Sequence, residues 1–289
     1  MANTKDLRQK IASVRNTQQT TRAMKMVSAA KLRRAQHAIV NARPYANRIH
    51  SVISKIAATK TVSHPLFDVS ENPQKILMVV LTSDRGLCGS FNSGVLRAAD
   101  AMYKKEKANH ERVDLFCIGR RAGDYFRRRG VDAVEVMLNL AKDIRYEVAS
   151  AVAERVVDWF LKGDYDEVRF VFNEFKSAIS QKVVSETLLP IRPLHTEDGK
   201  SFEQDIIFEP APELIMEQLL KKHFAIQVYR VMQESIASEH GARMNAMENA
   251  TKNAAELIKN LTLTLNKIRQ AAITTELIEI TSGAEALKA

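Results

Sequence analysis

The segment LRQKIASVRNTQQTTRAMKMVSAAKLRRAQ, residues 7–36, decides how this chain folds. It contains no glycine or proline, and the first glycine of the protein is Gly86. One row of positions advances by threes and fours, close to the 3.5-residue repeat of a two-helix coiled coil. The row consists of Leu7, Ile11, Val14, Gln18, Thr21, Met24, Ser28, Leu32, Ala35, Ile39 and Ala42. The segment therefore predicts a long helix that pairs with another helix.

The helical pattern continues to about residue 59. YANRIHSVISKIAA, residues 45–58, resumes it after Pro44, so we expect Pro44 to kink the helix rather than end it. At 1.5 Å per residue, about 57 residues make a rod of roughly 85 Å. Because a helix gains most of its stability by packing one face, this rod requires a partner.

The end of the chain provides that partner. Pro212 suits the first turn of a helix, and beyond it the sequence has no proline and only Gly241 before Gly283. A helix to about Ser282 would be roughly 105 Å long. Its predicted stripe consists of Ala250, Ala254, Leu257, Leu261, Leu265, Ile268 and Ala272. We predict that the terminal helices form an antiparallel coiled coil, and that the longer C-terminal helix extends past Met1.

Polar residues interrupt both predicted stripes, which weakens a purely hydrophobic contact. They are Gln18, Thr21 and Ser28 on the first helix, and Thr262, Thr264, Gln270, Thr274 and Thr275 on the second. Small and hydroxylated residues give a slim helix pair with few deep anchors. We interpret the pair as one whose outer surface contacts and releases its partners repeatedly.

Between the terminal helices the pattern changes. Short apolar runs at 75–83, 113–119, 167–175 and 181–191 read as strands, and helical stretches at 92–108, 120–129 and 142–162 alternate with them. This alternation predicts a largely parallel sheet. The predicted fold is thus mixed α/β, with a long two-helix coiled coil and an inserted Rossmann-like α/β domain. We divide the chain into a shaft helix at 1–59, an α/β domain at 75–208 and a second shaft helix at 209–289.

Positive charge is concentrated at the start of the chain. Residues 1–59 carry twelve lysines and arginines against the single acid Asp6, whereas the whole protein has a net charge of +9. Arg8, Arg15 and Arg22 repeat every seven residues and form a line beside the seam. A solvated helix normally mixes charges of both signs, so this line indicates a surface for an acidic partner.

Sequence motifs for catalysis are absent. LTSDRGLCGSFNSG, residues 81–94, has the position of a phosphate-binding loop between strand and helix, but it matches neither glycine-rich consensus. We interpret it as a structural turn, and we interpret Asp84 and Cys88 as parts of that turn and not as catalysts. Seven scattered histidines and two cysteines lack the spacing of a zinc site. We expect no catalytic residue, no cofactor and no metal.

Three motifs resemble one family. Residues 7–36, the loop SDRGLCGSFN at 83–92 and LNKIRQAAITTELIEITSGAEAL at 265–287 are similar to the gamma subunit of F-type ATP synthases. The resemblance covers essentially the whole chain, and the start without a transit peptide looks like the bacterial form. It implies a non-catalytic central-stalk rotor that couples proton flow to ATP synthesis or hydrolysis. The implied partners are the α and β subunits, the epsilon subunit and the c-subunit ring, at the cytoplasmic face of the bacterial inner membrane.

The resemblance also implies residues that contact the αβ hexamer. Met24 matches the family position that faces an acidic loop of the β subunit, and Lys25 lies beside it; some relatives carry an acid at that second position. Residues matching positions of the upper shaft and its coupling to β are Arg243, Arg269, Gln270, Thr274 and Glu276.

Two other classes of protein are alternatives. A nucleic-acid-binding protein would use the basic first helix along phosphates, but that leaves the near-neutral C-terminal helix unexplained, and only 6% of the residues are aromatic. A dinucleotide-dependent enzyme would require cofactor binding, for which the loop gives little reason.

Overall fold

The computed structural model describes residues 4–58, 64–138, 145–191 and 212–286. In chain order, the helices are α1 (Thr4–Ala58), α2 (Phe91–Asn109), α3 (Arg120–Arg127), α4 (Tyr146–Leu161) and α5 (Pro212–Ala286). The strands are β1 (Lys75–Leu81), β2 (Arg112–Ile118), β3 (Glu135–Met137), β4 (Glu167–Phe175) and β5 (Gln181–Leu189). A short 3-10 turn covers Pro65–Phe67.

The sheet is mostly parallel, as the alternation of strands and helices predicts. Its order is β3-β2-β1-β4-β5. The pairs β1–β2, β1–β4 and β2–β3 are parallel, and β5 returns antiparallel to β4. The predicted mixed α/β fold is confirmed. The three-residue strand β3 was not predicted, because it is too short to show a period.

Helices cover both faces of the sheet, which explains why β1 is apolar from Ile76 to Leu81. Its odd-numbered residues Leu77, Val79 and Leu81 pack with parts of α1, α4 and α5. Its even-numbered residues Ile76, Met78 and Val80 pack with α2 and α3. All six side chains are buried, so alternation along the strand builds two separate cores.

Pro44 lies inside α1, so the prediction that this helix continues past the proline is correct. Every position of the predicted stripe on α1 is buried or half-buried. In α5, Gly241 lies where the β4–β5 turn comes close: a Cβ built there would be 3.1 Å from the carbonyl oxygen of Ala178. The absence of a side chain at Gly241 therefore allows this close packing.

The described chain forms two compact units. One comprises residues 1–28 and 244–289, and the other comprises residues 29–243. The unit boundaries fall within α1 and α5, whereas the division predicted from the sequence follows the chain. That division stays a prediction. Its residues 1–3, 59, 139–144, 192–211 and 287–289 lie outside the described part of the chain.

Candidate partner-binding surfaces

In the unit of residues 1–28 and 244–289, two contacts show that α1 and α5 run antiparallel. The hydroxyl oxygens of Thr21 and Thr251 are 2.8 Å apart, and Lys25 Nζ lies 3.1 Å from Glu248 Oε2. Residue numbers on α5 thus fall as those on α1 rise. One of the two hydroxyls donates its hydrogen to the other. The hydroxyl that accepts can donate its own hydrogen to a carbonyl of its helix, that of Gln18 for Thr21 or that of Met247 for Thr251. The polar seam at Thr21 is therefore a specific hydrogen-bonded pair.

The same register explains where the buried face of α5 ends. It places Thr4, the first described residue of α1, opposite the region of Ile268, which is half-buried. Residues 269–284 are all exposed. We call this stretch the free end of α5. Its apolar side chains are at least half exposed, namely Ile273, Leu277, Ile278 and Ile280.

Part of the predicted stripe on α5 was wrong. Leu257 is 47% exposed and Ala272 is exposed, while Ile258 is half-buried instead. Thr262, Thr264, Thr274 and Thr275 do not lie in the seam either: they are exposed, and each donates its hydroxyl hydrogen to the carbonyl four residues earlier. Gln270 is also exposed. The sequence gives a helical period but does not say which face meets the partner.

A groove of about 280 Å³ lies beside the seam. It is lined by Gln18, Gln19, Arg22, Lys25, Glu248, Thr251 and Lys252, and we call it the Lys25 groove. Glu248 sits between two lysines, 3.1 Å from Lys25 and 3.4 Å from Lys252. Its hydrogen bonds to Lys25 and then Lys252 lower the pKa of its carboxyl. Three cations against one carboxylate leave the groove with a surplus of positive charge.

Met24, the predicted neighbour of an acidic loop, is half-buried and directly precedes Lys25 of this groove in the chain. Arg8, Arg15 and Arg22 are exposed, as a partner surface requires. The role of Glu248 was missed from the sequence. The i, i+4 spacing of Glu248 and Lys252 could have indicated an ion pair. Only the structure shows that Lys25 of α1 contacts the same carboxylate.

Arg243 lies in the other unit, and it is 9% exposed. Its guanidinium forms an ion pair with Glu239 at 2.6 Å and donates to the carbonyl of Gly86 at 3.3 Å. Burial raises the pKa of Glu239, against the opposing effect of Arg243. Burial, assisted by Arg243 and Lys31, lowers the pKa of His240 to about 4. Arg243 thus ties α5 to the 83–92 loop, and its contact with the αβ hexamer stays a prediction.

The 83–92 loop is closed by its own side chains. Asn92 accepts from the backbone N–H of Ser83 at 3.0 Å and donates to Ser83 Oγ at 2.8 Å and to Cys88 Sγ at 3.1 Å. Cys88 is buried with Phe91 and Ala242. Asp84 accepts from the N–H of Arg120 at 2.9 Å. These contacts support the interpretation of the loop as a structural turn.

None of the helices in the described ranges has an apolar stretch long enough to cross a bilayer. Within those ranges, no group of three or more His, Cys, Asp or Glu side chains is arranged to hold a metal ion.

The fold defines a class of protein: an α/β domain with a mostly parallel sheet and long N- and C-terminal helices. The model of the ATP synthase family matches residues 3–287. The ATP synthase gamma chain of Bdellovibrio bacteriovorus is 58% identical over the full length of both chains. That of an Anaeromyxobacter species is 47% identical, also over both full lengths.

Solved structures agree with these sequence relatives. A chain of the Tetrahymena thermophila mitochondrial ATP synthase, in a structure described as central stalk and c-ring, is 28% identical, with a TM-score of 0.62 over 80% of this chain and 99% of that one. A Euglena gracilis mitochondrial ATP synthase chain shares the fold, with a TM-score of 0.67 at 22% identity over 98% of this chain and 94% of that chain. This chain belongs to the ATP synthase gamma chain family. The comparisons give the nucleic-acid-binding hypothesis no support.

Proposed function

We propose that this chain is the central-stalk rotor subunit of a proton-translocating F-type ATP synthase. It turns inside a hexamer of alternating α and β subunits and couples proton flow through the membrane sector to ATP synthesis or hydrolysis at the β catalytic sites. The observation that carries this function is the end-to-end similarity to gamma chains, at 58% identity and including both terminal helices.

The rotor has further partners in this proposal. Its α/β domain, residues 75–208, contacts the epsilon subunit and the c-subunit ring, while 1–59 and 209–289 form the shaft. The chain is peripheral to the membrane at the cytoplasmic face of a bacterial cell and contributes no catalytic group. The Tetrahymena structure supports the proposed contact with a c-ring, because it is described as central stalk and c-ring.

The free end of α5 is the proposed surface for the inside of the αβ hexamer. Apolar side chains that are at least half exposed along one helix mark an interaction site. The contact residues predicted there, Arg269, Gln270, Thr274 and Glu276, are all exposed. Because the threonine hydroxyls bond to the helix's own carbonyls, the surface offers few outward donors that could lock the rotor at one angle.

The Lys25 groove is the proposed contact for an acidic loop of the β subunit. Met24 directly precedes Lys25 in the chain, and the groove's surplus of lysine and arginine attracts carboxylates from a neighbouring chain. Glu248 holds the lysines in place while that loop is absent. The groove can thus exchange an internal carboxylate for an external one as the shaft turns.

Co-purification tests the function directly. The tagged chain, expressed with the α and β subunits of its own organism, is expected to elute with three copies of each per copy of itself, in a complex that hydrolyses ATP. Native mass spectrometry gives the stoichiometry. Failure to recover α and β subunits with a folded chain would overturn the proposal.

The contact at Met24 has its own test. Met24→Lys adds a positive charge beside the groove, so we expect it to over-tighten the contact with the acidic loop and to lower proton pumping per ATP hydrolysed in membrane vesicles. Met26→Lys is the matched control, since residue 26 lies roughly 200° around the helix from residue 24. Equal coupling of pumping to hydrolysis in Met24→Lys and the unaltered complex would remove this residue from the proposal.

A further inference from the structure

Strand β3 and the residues on either side of it include three exposed apolar side chains. Val136 is the central residue of the strand, and Val134 and Leu138 flank it; they are 44%, 47% and 42% exposed, respectively. Because alternate residues of an extended chain share one face, we take these three side chains as one apolar row. Gly123 of α3 leaves space for Val136, because a Cβ at Gly123 would be only 2.8 Å from Val136 Cγ1. The row therefore lies on the α3 side of the sheet.

The same strand forms an edge of the sheet. Among the described strands, β3 pairs with β2 alone. Its other face is already occupied, because Glu135 forms an ion pair with Arg155 of α4 and Met137 packs against the core on that side. A sheet edge offers backbone N–H and C=O groups to an added strand. Within the described residues, the outer backbone edge of β3 therefore has no strand partner, and the apolar row is exposed.

Arginines are frequent just before β3 in the chain. Helix α3 and the turn that follows it contain Arg120, Arg121, Arg127, Arg128 and Arg129, all exposed, against the two acids Asp124 and Asp132. Asp124 pairs with Arg127 at 2.9 Å. The guanidinium of Arg129 lies 3.6 Å from the ring centre of Tyr125. The last three arginines precede β3 by a few residues, and the segment has a positive surplus.

We propose that the α3–β3 surface, formed by Arg127–Arg129 with Val134, Val136 and Leu138, docks an extended acidic segment of a partner protein as an additional strand on β3. Each property of the surface matches such a segment: the edge pairs with its backbone, the apolar row takes alternate side chains, and the arginines take carboxylates. The proposal does not depend on the rotor function.

Two other occupants fit the surface less well. A second copy of this chain, paired through its own β3, would bring two arginine clusters together, and like charges disfavour that contact. An anionic membrane would satisfy the arginines, but a lipid surface makes no strand-like use of the backbone edge. The acidic segment is the one occupant that uses all three properties.

The experiment uses the full-length chain and a fluorescein-labelled peptide of about ten residues that alternates valine and glutamate. Fluorescence polarisation is expected to show binding, and a peptide of the same sequence with N-methylated alternate amides is expected not to bind, because it cannot extend the sheet. The triple variant R127E/R128E/R129E should weaken binding by about tenfold or more.

The matched control is K104E/K105E/K107E on α2, which reverses the same number of exposed charges. Lys107 even lies over the ring of Tyr103, as Arg129 does over Tyr125. Binding to this control should stay within about twofold of the unaltered chain. Val136→Asp is a second, single change within the row, and it should also weaken binding. The fluorescence of Trp159 shows that each variant is folded.

Several results would overturn the proposal. If the N-methylated peptide bound as tightly as the unmodified peptide, strand addition would be excluded. If both triple variants lost the same amount of peptide affinity, the net charge of the chain, and not these arginines, would explain the binding. Absence of peptide binding together with arginine-dependent binding to phosphatidylcholine–phosphatidylserine vesicles would assign the surface to a membrane. Dimerisation through β3, abolished by Val136→Asp in sedimentation, would assign it to a second copy.

Discussion

At the scale of single residues, His240 shows how a mid-helix polar group is used. It is 5% exposed, and its ring Nδ1 lies 3.4 Å from an Arg243 nitrogen. Burial is the main cause that lowers the pKa of the ring. The positive charges of Arg243 on α5 and Lys31 on α1 lower it further. A neutral ring is therefore part of the folded state.

This histidine should make stability fall in acid. Its pKa is about 4 in the folded chain and 6.5 when unfolded, so between these values the unfolded chain binds the proton more readily. The free energy of unfolding should thus drop as the pH falls from about 6.5 to about 4, by at most about 3 kcal/mol. Urea unfolding followed by Trp159 fluorescence measures it.

The variant His240→Gln isolates that contribution, because the raised pKa of Glu239 acts in the opposite direction. The stability of the unaltered chain relative to His240→Gln should decrease with falling pH across that window. His37→Gln, at an exposed position of α1, is the control. A pH-independent difference between His240→Gln and the unaltered chain would contradict the assigned role.

A second residue-scale prediction compares two glycines of positive φ. Gly119 has φ 103°, and a Cβ there would collide with the carbonyl oxygen of Thr82, whereas Gly130 has φ 70° and nothing within 4 Å. We expect Gly130→Ala to cost about 1 kcal/mol of stability, from backbone strain alone. Gly119→Ala adds a collision with the backbone and should cost about 3 kcal/mol or more.

Chemical unfolding monitored by Trp159 compares the two variants. Similar losses in Gly119→Ala and Gly130→Ala would show that the approach of Thr82 does not matter.

At the scale of elements, the pairing of α1 with α5 has a register that cross-linking can read. The hydroxyls of Thr21 and Thr251 are in contact at 2.8 Å, which places their Cβ atoms within reach of a disulfide. The double variant Thr21→Cys/Thr251→Cys should form an intramolecular cross-link under mild oxidation, visible on a non-reducing gel. Cys88 and Cys117 are buried, so they should not compete.

Thr17→Cys/Thr251→Cys provides the comparison one turn away. Thr17 is exposed and donates its hydroxyl hydrogen to the carbonyl of Ser13, so this pair should cross-link far more slowly. Faster cross-linking in Thr17→Cys/Thr251→Cys than in Thr21→Cys/Thr251→Cys would show that the register of the two helices is shifted by a turn.

At the scale of the whole molecule, the core of the α/β domain does not use the free end of α5. The core residues of α5 that pack with the sheet lie between Met216 and Met232, far along the chain from residues 269–284. Folding of the domain and the function of the helix end should therefore be separable.

Deletion of residues 269–289 tests this separation. The stability reported by Trp159 should change by less than about 0.5 kcal/mol, because residues 269–284 are all exposed and surface changes usually have small effects. Assembly with α and β subunits, or torque in single-molecule rotation, should weaken. A shorter deletion of 283–289 should have a smaller effect. Loss of the folded α/β domain in either truncation would contradict the modular division of the chain.

The sequence by itself determined the two long helices, the alternation of strands and helices, and the family. These features depend on local periods, on the absence of glycine and proline, and on motifs that any chain with these residues carries. Every position of the predicted row from Leu7 to Ala42 is buried or half-buried, because the apolar residues of this helix repeat regularly along one face.

Only the tertiary structure decided which face of α5 is covered. Leu257 and Ile258 are neighbours with similar hydrophobicity, and their exposure differs because α1 lies on one side. The exposed threonines, the Lys25–Glu248 pair and strand β3 depend in the same way on residues distant in sequence. The buried ion pair of Arg243 is the clearest case: a charged residue in a helix becomes internal only when Glu239 and the 83–92 loop surround it, and no local pattern encodes that arrangement.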